Sequence, residues 1–144
     1  MKWSPAVKIN TNFEESVTLA KRHIEELKQN YGEQVFINLI DKKGSQLRIG
    51  TTFTNLVNHI KDDLIHYVWF DFHHECRKMK WENSSKLIDM VKDKLHGFDY
   101  FYAKLDYGME NREKINDKTC QIFNKQTGNI RVNCMDCLDR TNVV

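Results

Sequence analysis

The run that most limits how this chain can fold is QVFINLI, residues 34–40. It is apolar, β-branched and uncharged, and it is too short for a buried helix, so it reads as a strand covered on both faces. A strand of that kind needs helices above and below it. The chain provides one in NFEESVTLAKRHIEELKQNYG, where Phe13, Val17, Ala20, Ile24, Leu27 and Tyr31 recur at helical spacing and form one apolar face. Asn12 is the expected N-cap, with Glu15 three residues on, and Gly32 is the expected stop.

The alternation continues along the chain. HYVWFDF (66–72) and FDYFYAKL (98–105) read as two further strands. Between them NSSKLIDMVKDKLHG reads as a helix, with Leu87, Ile88, Val91 and Leu95 on one side and Gly97 closing it. DKKGS reads as a turn and FTNLVNHI as a short helix. The polar stretch 106–118 reads as a loop. TCQIFNKQTGNIRVN reads as a hairpin turning near Gln126-Thr127-Gly128-Asn129. Together these predict an α/β fold, a mixed β-sheet flanked by helices, without internal repeats.

Bulk composition narrows the function classes. With 22 basic and 20 acidic residues the net charge is +2, far from the basic excess of a nucleic-acid binder, so no nucleic-acid partner is expected. No apolar run approaches the roughly 20 residues of a membrane-spanning helix. MKWSPAVKIN lacks the apolar core of a secretory signal. Four scattered cysteines do not make a disulfide scaffold and point to a reducing compartment.

The chemistry concentrates in NCMDCLDRTNVV, residues 133–144. Cys134 and Arg140 bracket five residues, the spacing of a phosphate-binding phosphatase loop. Such a loop turns its backbone N–H groups inward around phosphate oxygens. Arg140 closes the ring with a planar fork that matches phosphate, and a helix starting near it aims its positive end at the same point. That field favours the nucleophilic form of Cys134. An apolar strand leads directly in and Thr141 follows Arg140, although the loop lacks the glycine that many such loops carry. Cys134 and Cys137 also form a CxxC, which leaves a thiol oxidoreductase or a protective disulfide as alternative readings.

The string NCMDCLDRTNVV resembles the signature of the Sac-domain phosphoinositide phosphatases. VFINLIDKKGS, YVWFDFHHEC followed by MKW, and the KWSP lead-in resemble Sac segments in the same order, so the resemblance spans nearly the whole chain. The Met-Asp within the signature is most similar to the branch acting on phosphatidylinositol 4-phosphate. Three features depart from the family pattern. Val132 stands where the family has Thr or Ser, the 106–118 loop is longer, and residues 1–144 correspond to part of a Sac catalytic domain. The resemblance places an N-terminal subdomain before this stretch and further helices after it. The expectation is that the stretch alone is inactive, because Arg140 needs a following helix to hold its fork.

The implied reaction is hydrolysis of an inositol-ring phosphomonoester, on a phosphoinositide lipid in a membrane, through a cysteinyl-phosphate and without a cofactor. Cys134 is the expected nucleophile and Arg140 the phosphoryl-binding cation. A leaving alkoxide needs a proton. Asp136 is the favoured donor, Asp139 a second candidate or a pin for the loop backbone, and Asp71 a third. Met135, Cys137, Leu138, Thr141 and Asn142 complete the substrate loop, with Thr141 able to bond the Cys134 sulfur. Asn133 and Asn142 read as loop scaffold by side-chain to backbone hydrogen bonds. Arg77 and Lys78, with Lys80 and Trp81, read as a patch for an anionic headgroup or membrane surface. Lys42, Lys43 and Arg48 form a second basic cluster. His73, His74, Glu75 and Cys76 carry metal-ligand chemistry in type, but neighbouring histidines at a strand end face opposite ways, so no metal is expected. Family members work at the cytoplasmic face of endomembranes (endoplasmic reticulum, Golgi or endosome). The competing reading is a catalytically inactive Sac-fold scaffold that binds lipid.

Overall fold

The structure is a computed structural model that describes residues 8–105, 120–135 and 137–144. Three strands, β1 (Glu33–Asn38), β2 (Ile65–Trp69) and β5 (Gly128–Asn133), form a parallel sheet in the order β2-β1-β5. Two more, β3 (Tyr102–Leu105) and β4 (Cys120–Asn124), pair antiparallel as a separate ribbon. The helices are α1 (Phe13–Tyr31), α2 (Gly44–Ile60), α3 (Phe72–Glu75), α4 (Ser85–Phe98) and α5 (Asp139–Val143).

β1 is the centre of the fold because its two faces are both apolar. Val35, Ile37 and Leu39 alternate onto one face, where they join Leu87, Val91 and Phe98 of α4 in a buried cluster with Phe70, Phe72 and Cys76. Phe36 points the other way, its ring 6.0 Å from Phe53 of α2. There it lines a small cleft together with Ala20 and Ile24 of α1. Helices thus cover both faces of the sheet, and the α/β expectation holds, with antiparallel pairing confined to the ribbon. Each fully buried aliphatic side chain here contributes about 1.5–3 kcal/mol of transfer free energy.

Local signals placed several elements as expected. The Asn12 side chain accepts from Glu15 N at 3.1 Å, and Gly32, at φ 75, closes α1 with its N–H on Lys28 O. Other expectations need correction. The 120–133 stretch is not a hairpin: β4 pairs with β3, and β5 runs parallel to β1 from Glu33↔Gly128 to Asn38↔Asn133. Burial decides this, because Ile130 and Val132 pack against the α4-side cluster and Thr127 N bonds Phe98 O at 2.9 Å. The helix after the first strand spans 17 residues and takes in part of the expected DKKGS turn. β2 ends at Trp69, because Asp71 accepts from His74 N at 3.0 Å and starts α3 there. In α4, Leu87 and Val91 are buried while Ile88 and Leu95 are exposed. The expected 106–118 loop lies outside the described residues.

Candidate active site

Strand order places the site. From β1 the chain crosses to β2 on one side and later returns as β5 on the other, so order reverses at β1. Open α/β sheets bind ligands beyond the carboxyl ends of their strands at such a point. The residues that follow these strands are Leu39–Asp41 after β1, Phe70–Asp71 after β2 and Cys134 after β5. A cleft of about 320 Å³ opens there, lined by Asn38, Ile40, Gln46, Asn133, Cys134 and Met135 among others.

Arg140 returns to the same edge. It is buried at 9% exposure, and its Nη1 donates to Leu39 O at 3.1 Å, Gln46 Oε1 at 3.3 Å and Asp41 Oδ1 at 3.4 Å. Every side-chain hydrogen bond it makes to a described residue runs from that one nitrogen. Asp41 also takes His73 Nδ1 at 2.8 Å and Gln46 Nε2 at 3.4 Å. The buried carboxylate therefore matches the buried guanidinium, as desolvated charges require. Asp41 and Gln46 were not singled out from the sequence. The available signal was position, since Asp41 directly follows the apolar strand run.

The loop between Cys134 and Arg140 turns at Cys137, which is left-handed at φ 56. A glycine would sit there without cost, so this thiol residue supplies the turn that the loop's missing glycine would have made. Its Sγ bonds Cys134 O at 4.0 Å, and neither cysteine is in a disulfide. Asn142 bonds Leu138 O through its side chain at 2.8 Å and its N–H at 3.0 Å, which fits the scaffold expected of it.

Several expected placements change. Asp139 is exposed at the first residue of α5, and its carboxylate makes no hydrogen bond to a described residue, so it does not pin the loop. Thr141 Oγ1 is buried with no hydrogen-bond partner among the described residues rather than bonded to Cys134. Met135 and Leu138 are exposed beside the cleft and loop. Asp71 is held by backbone, accepting from Lys42 N at 2.8 Å as well as from His74 N, which makes it a strut between the β1 and β2 ends. Arg77 and Lys78 do not line the Cys134 cleft but a separate one beyond α3. His73 and His74 stand on α3 rather than a strand, and Cys76 is buried in the core, where burial pushes its thiol up. Lys42 packs over the Trp69 ring at 5.5 Å, so that basic cluster is partly engaged. Asp136 lies outside the described residues.

A parallel sheet covered by helices on both faces thus presents a cysteine and an arginine, six residues apart, beyond one strand edge. Comparison with known proteins gives the family. The SacI homology domain family matches residues 1–77. The chain belongs to the SacI homology domain family. It is 39% identical over 145 residues to phosphatidylinositol-3-phosphatase SAC1 of Saccharomyces cerevisiae, covering 100% of this chain and 22% of the yeast protein. It is 36% identical over 143 residues to phosphatidylinositol-3-phosphatase SAC1-A of Danio rerio, covering 99% of this chain and 22% of that protein. It is 36% identical over 143 residues to phosphatidylinositide phosphatase SAC2 of Homo sapiens, covering 99% of this chain and 11% of that protein. The chain thus spans less than a quarter of the length of these relatives. Among the described residues, no helix is long and apolar enough to cross a membrane.

Proposed function

We propose that this chain carries the nucleophile and phosphoryl-binding arginine of a phosphoinositide phosphatase. The carrying observation is that Arg140, six residues from Cys134, is drawn back beneath the edge that β5 feeds and fixed there by Asp41, Leu39 O and Gln46. The relatives' names, all of phosphoinositide-directed phosphatases, support the substrate class.

The Cys134 thiolate attacks phosphorus, forming the S–P bond as the P–O ester bond breaks. The departing inositol oxygen takes its proton from Asp136, with Asp139 as second candidate. Water, giving a proton to the carboxylate that protonated the leaving group, then attacks phosphorus; the S–P bond breaks, and inorganic phosphate and the thiolate are released. Arg140 binds the equatorial oxygens, where charge builds in the transition state. The buried hydroxyl of Thr141, unpartnered among the described residues, is a donor that a phosphoryl oxygen or the hydrolytic water satisfies. No step requires a metal or cofactor.

The resemblance of the signature favours phosphatidylinositol 4-phosphate as substrate, whereas the yeast and zebrafish relatives are named for the 3-phosphate. The setting is the cytoplasmic face of an endomembrane, with the protein in peripheral contact with its lipid or anchored by other regions. The test is phosphate release by the full-length parent protein from each phosphatidylinositol monophosphate, with and without chelator, beside Cys134→Ser. The expected result is chelator-insensitive release, strongest on the 4-phosphate, and lowered at least about 10³-fold by the substitution. Chelator-sensitive turnover, or turnover that survives Cys134→Ser, refutes the mechanism. Strongest release from the 3-phosphate corrects the ring position alone.

A further inference from the structure

The segment joining α3 to α4 is built against local preference. Arg77-Lys78-Met79-Lys80 reverses the chain, with Lys80 N donating to Arg77 O at 3.4 Å. Both central residues are left-handed, Lys78 at φ 56, ψ 40 and Met79 at φ 58. A type I′ turn demands such a pair and is normally filled by Asn or Gly. Here it carries two long side chains, so the backbone is strained twice. The strain puts Met79 at the tip, 75% exposed, with Trp81 beside it at 45%.

Cations flank that turn: Arg77, Lys78, Lys80 and Lys86 line a shallow cleft together with His74, Glu75 and Asn83. Of the nearby acidic groups, Glu75 is paired with Lys86 at 3.0 Å, and Glu82 lies on the next turn. Exposed Met79 and Trp81 beside these cations complement a bilayer with anionic headgroups, whose interfacial zone suits a thioether and an indole and whose phosphates suit the cations.

The turn is also fixed to the edge that holds the candidate site. The Trp81 ring packs on Phe72 at 5.9 Å, and Asn83 Nδ2 donates to Glu75 O at 2.6 Å. Phe72 and Glu75 bound α3, which directly follows β2. In a parallel sheet this is the edge at which Cys134 follows β5.

We propose that the 77–81 turn is a membrane-docking knuckle that seats this sheet edge on an anionic lipid surface. It rests on the phosphatase reading only for the reason that the edge should face a bilayer. The test is co-sedimentation of the full-length parent protein with phosphatidylcholine vesicles, with or without phosphatidylserine and lacking any phosphoinositide. Binding should need phosphatidylserine and weaken with salt. Lys80→Gln should weaken it about fivefold. Met79→Gly should also weaken it while raising the melting temperature, because glycine suits the left-handed position; this separates lost docking from lost folding. No preference for the anionic vesicles, or wild-type binding by both variants, overturns the proposal. Because these vesicles hold no substrate, docking by a protein that releases no phosphate would sink the enzyme reading and leave this one standing. Turnover without docking would do the reverse.

Discussion

Removing the carboxylate of Asp41 leaves the Arg140 guanidinium buried with its charge unmatched. Breaking a buried pair from one side costs about 3–5 kcal/mol, so Asp41→Ala should lower stability by that order in denaturant titration. Asp41→Asn, which keeps an acceptor, should cost less. Wild-type stability in Asp41→Ala would show that Arg140 is held by Leu39 O and Gln46 alone. Cys137 gives a second expectation at this scale. Its left-handed backbone is worst for a β-branched side chain, so Cys137→Val should lower the melting temperature where Cys137→Gly does not. The pairing of Cys134 with Arg140 could be picked out from the sequence because the two lie six residues apart. Asp41 was not readable, because its partner lies 99 residues away and only the sheet brings them together.

Elements were legible where their signals are local. α1 was readable down to both caps, since Asn12 and Gly32 act within a few residues of themselves. β5 was misassigned because a turn-like Gln126-Thr127-Gly128 suggests a hairpin, while the pairing that wins is with β1, far back in the chain. Two predictions belong to element packing. Gly50 of α2 abuts the edge strand β2, and a Cβ there would lie 2.2 Å from the Trp69 ring. Gly50→Ala should therefore destabilise the protein by about 1–3 kcal/mol, despite the roughly 1 kcal/mol that alanine adds to a helix. A wild-type melting temperature would mean that the ring moves freely. The second concerns acid. Lys94 and His66 hold the Glu33 carboxyl below its ordinary value of 4.5, and Lys28 holds Asp62 below 3.8. Depressed carboxyl values contribute stability above the ordinary values, and it is lost as pH falls through them toward the folded ones. Unfolding midpoints should thus drop below about pH 4.5, and less steeply in Glu33→Gln; equal slopes would show that these pairs contribute nothing.

At the scale of the molecule, one sheet edge gathers the chemistry. β1 leads to Asp41, β5 leads to Cys134, α5 returns Arg140 to Asp41, and α3 ties the basic turn to the same side. The family and the fold class were visible in the order of the sequence segments. The orientation of that edge was not, because it depends on parallel pairing between strands about 95 residues apart. In the proposed reaction Cys134 takes the phosphoryl group from the lipid. Acid quench of the full-length parent protein during turnover of ³²P-labelled phosphatidylinositol 4-phosphate, followed by peptide mapping of the trapped label, shows this directly. Label is expected on Cys134, with S–P lability, and none in Cys134→Ala. Turnover with no covalent label, or label on another residue, would contradict this reaction.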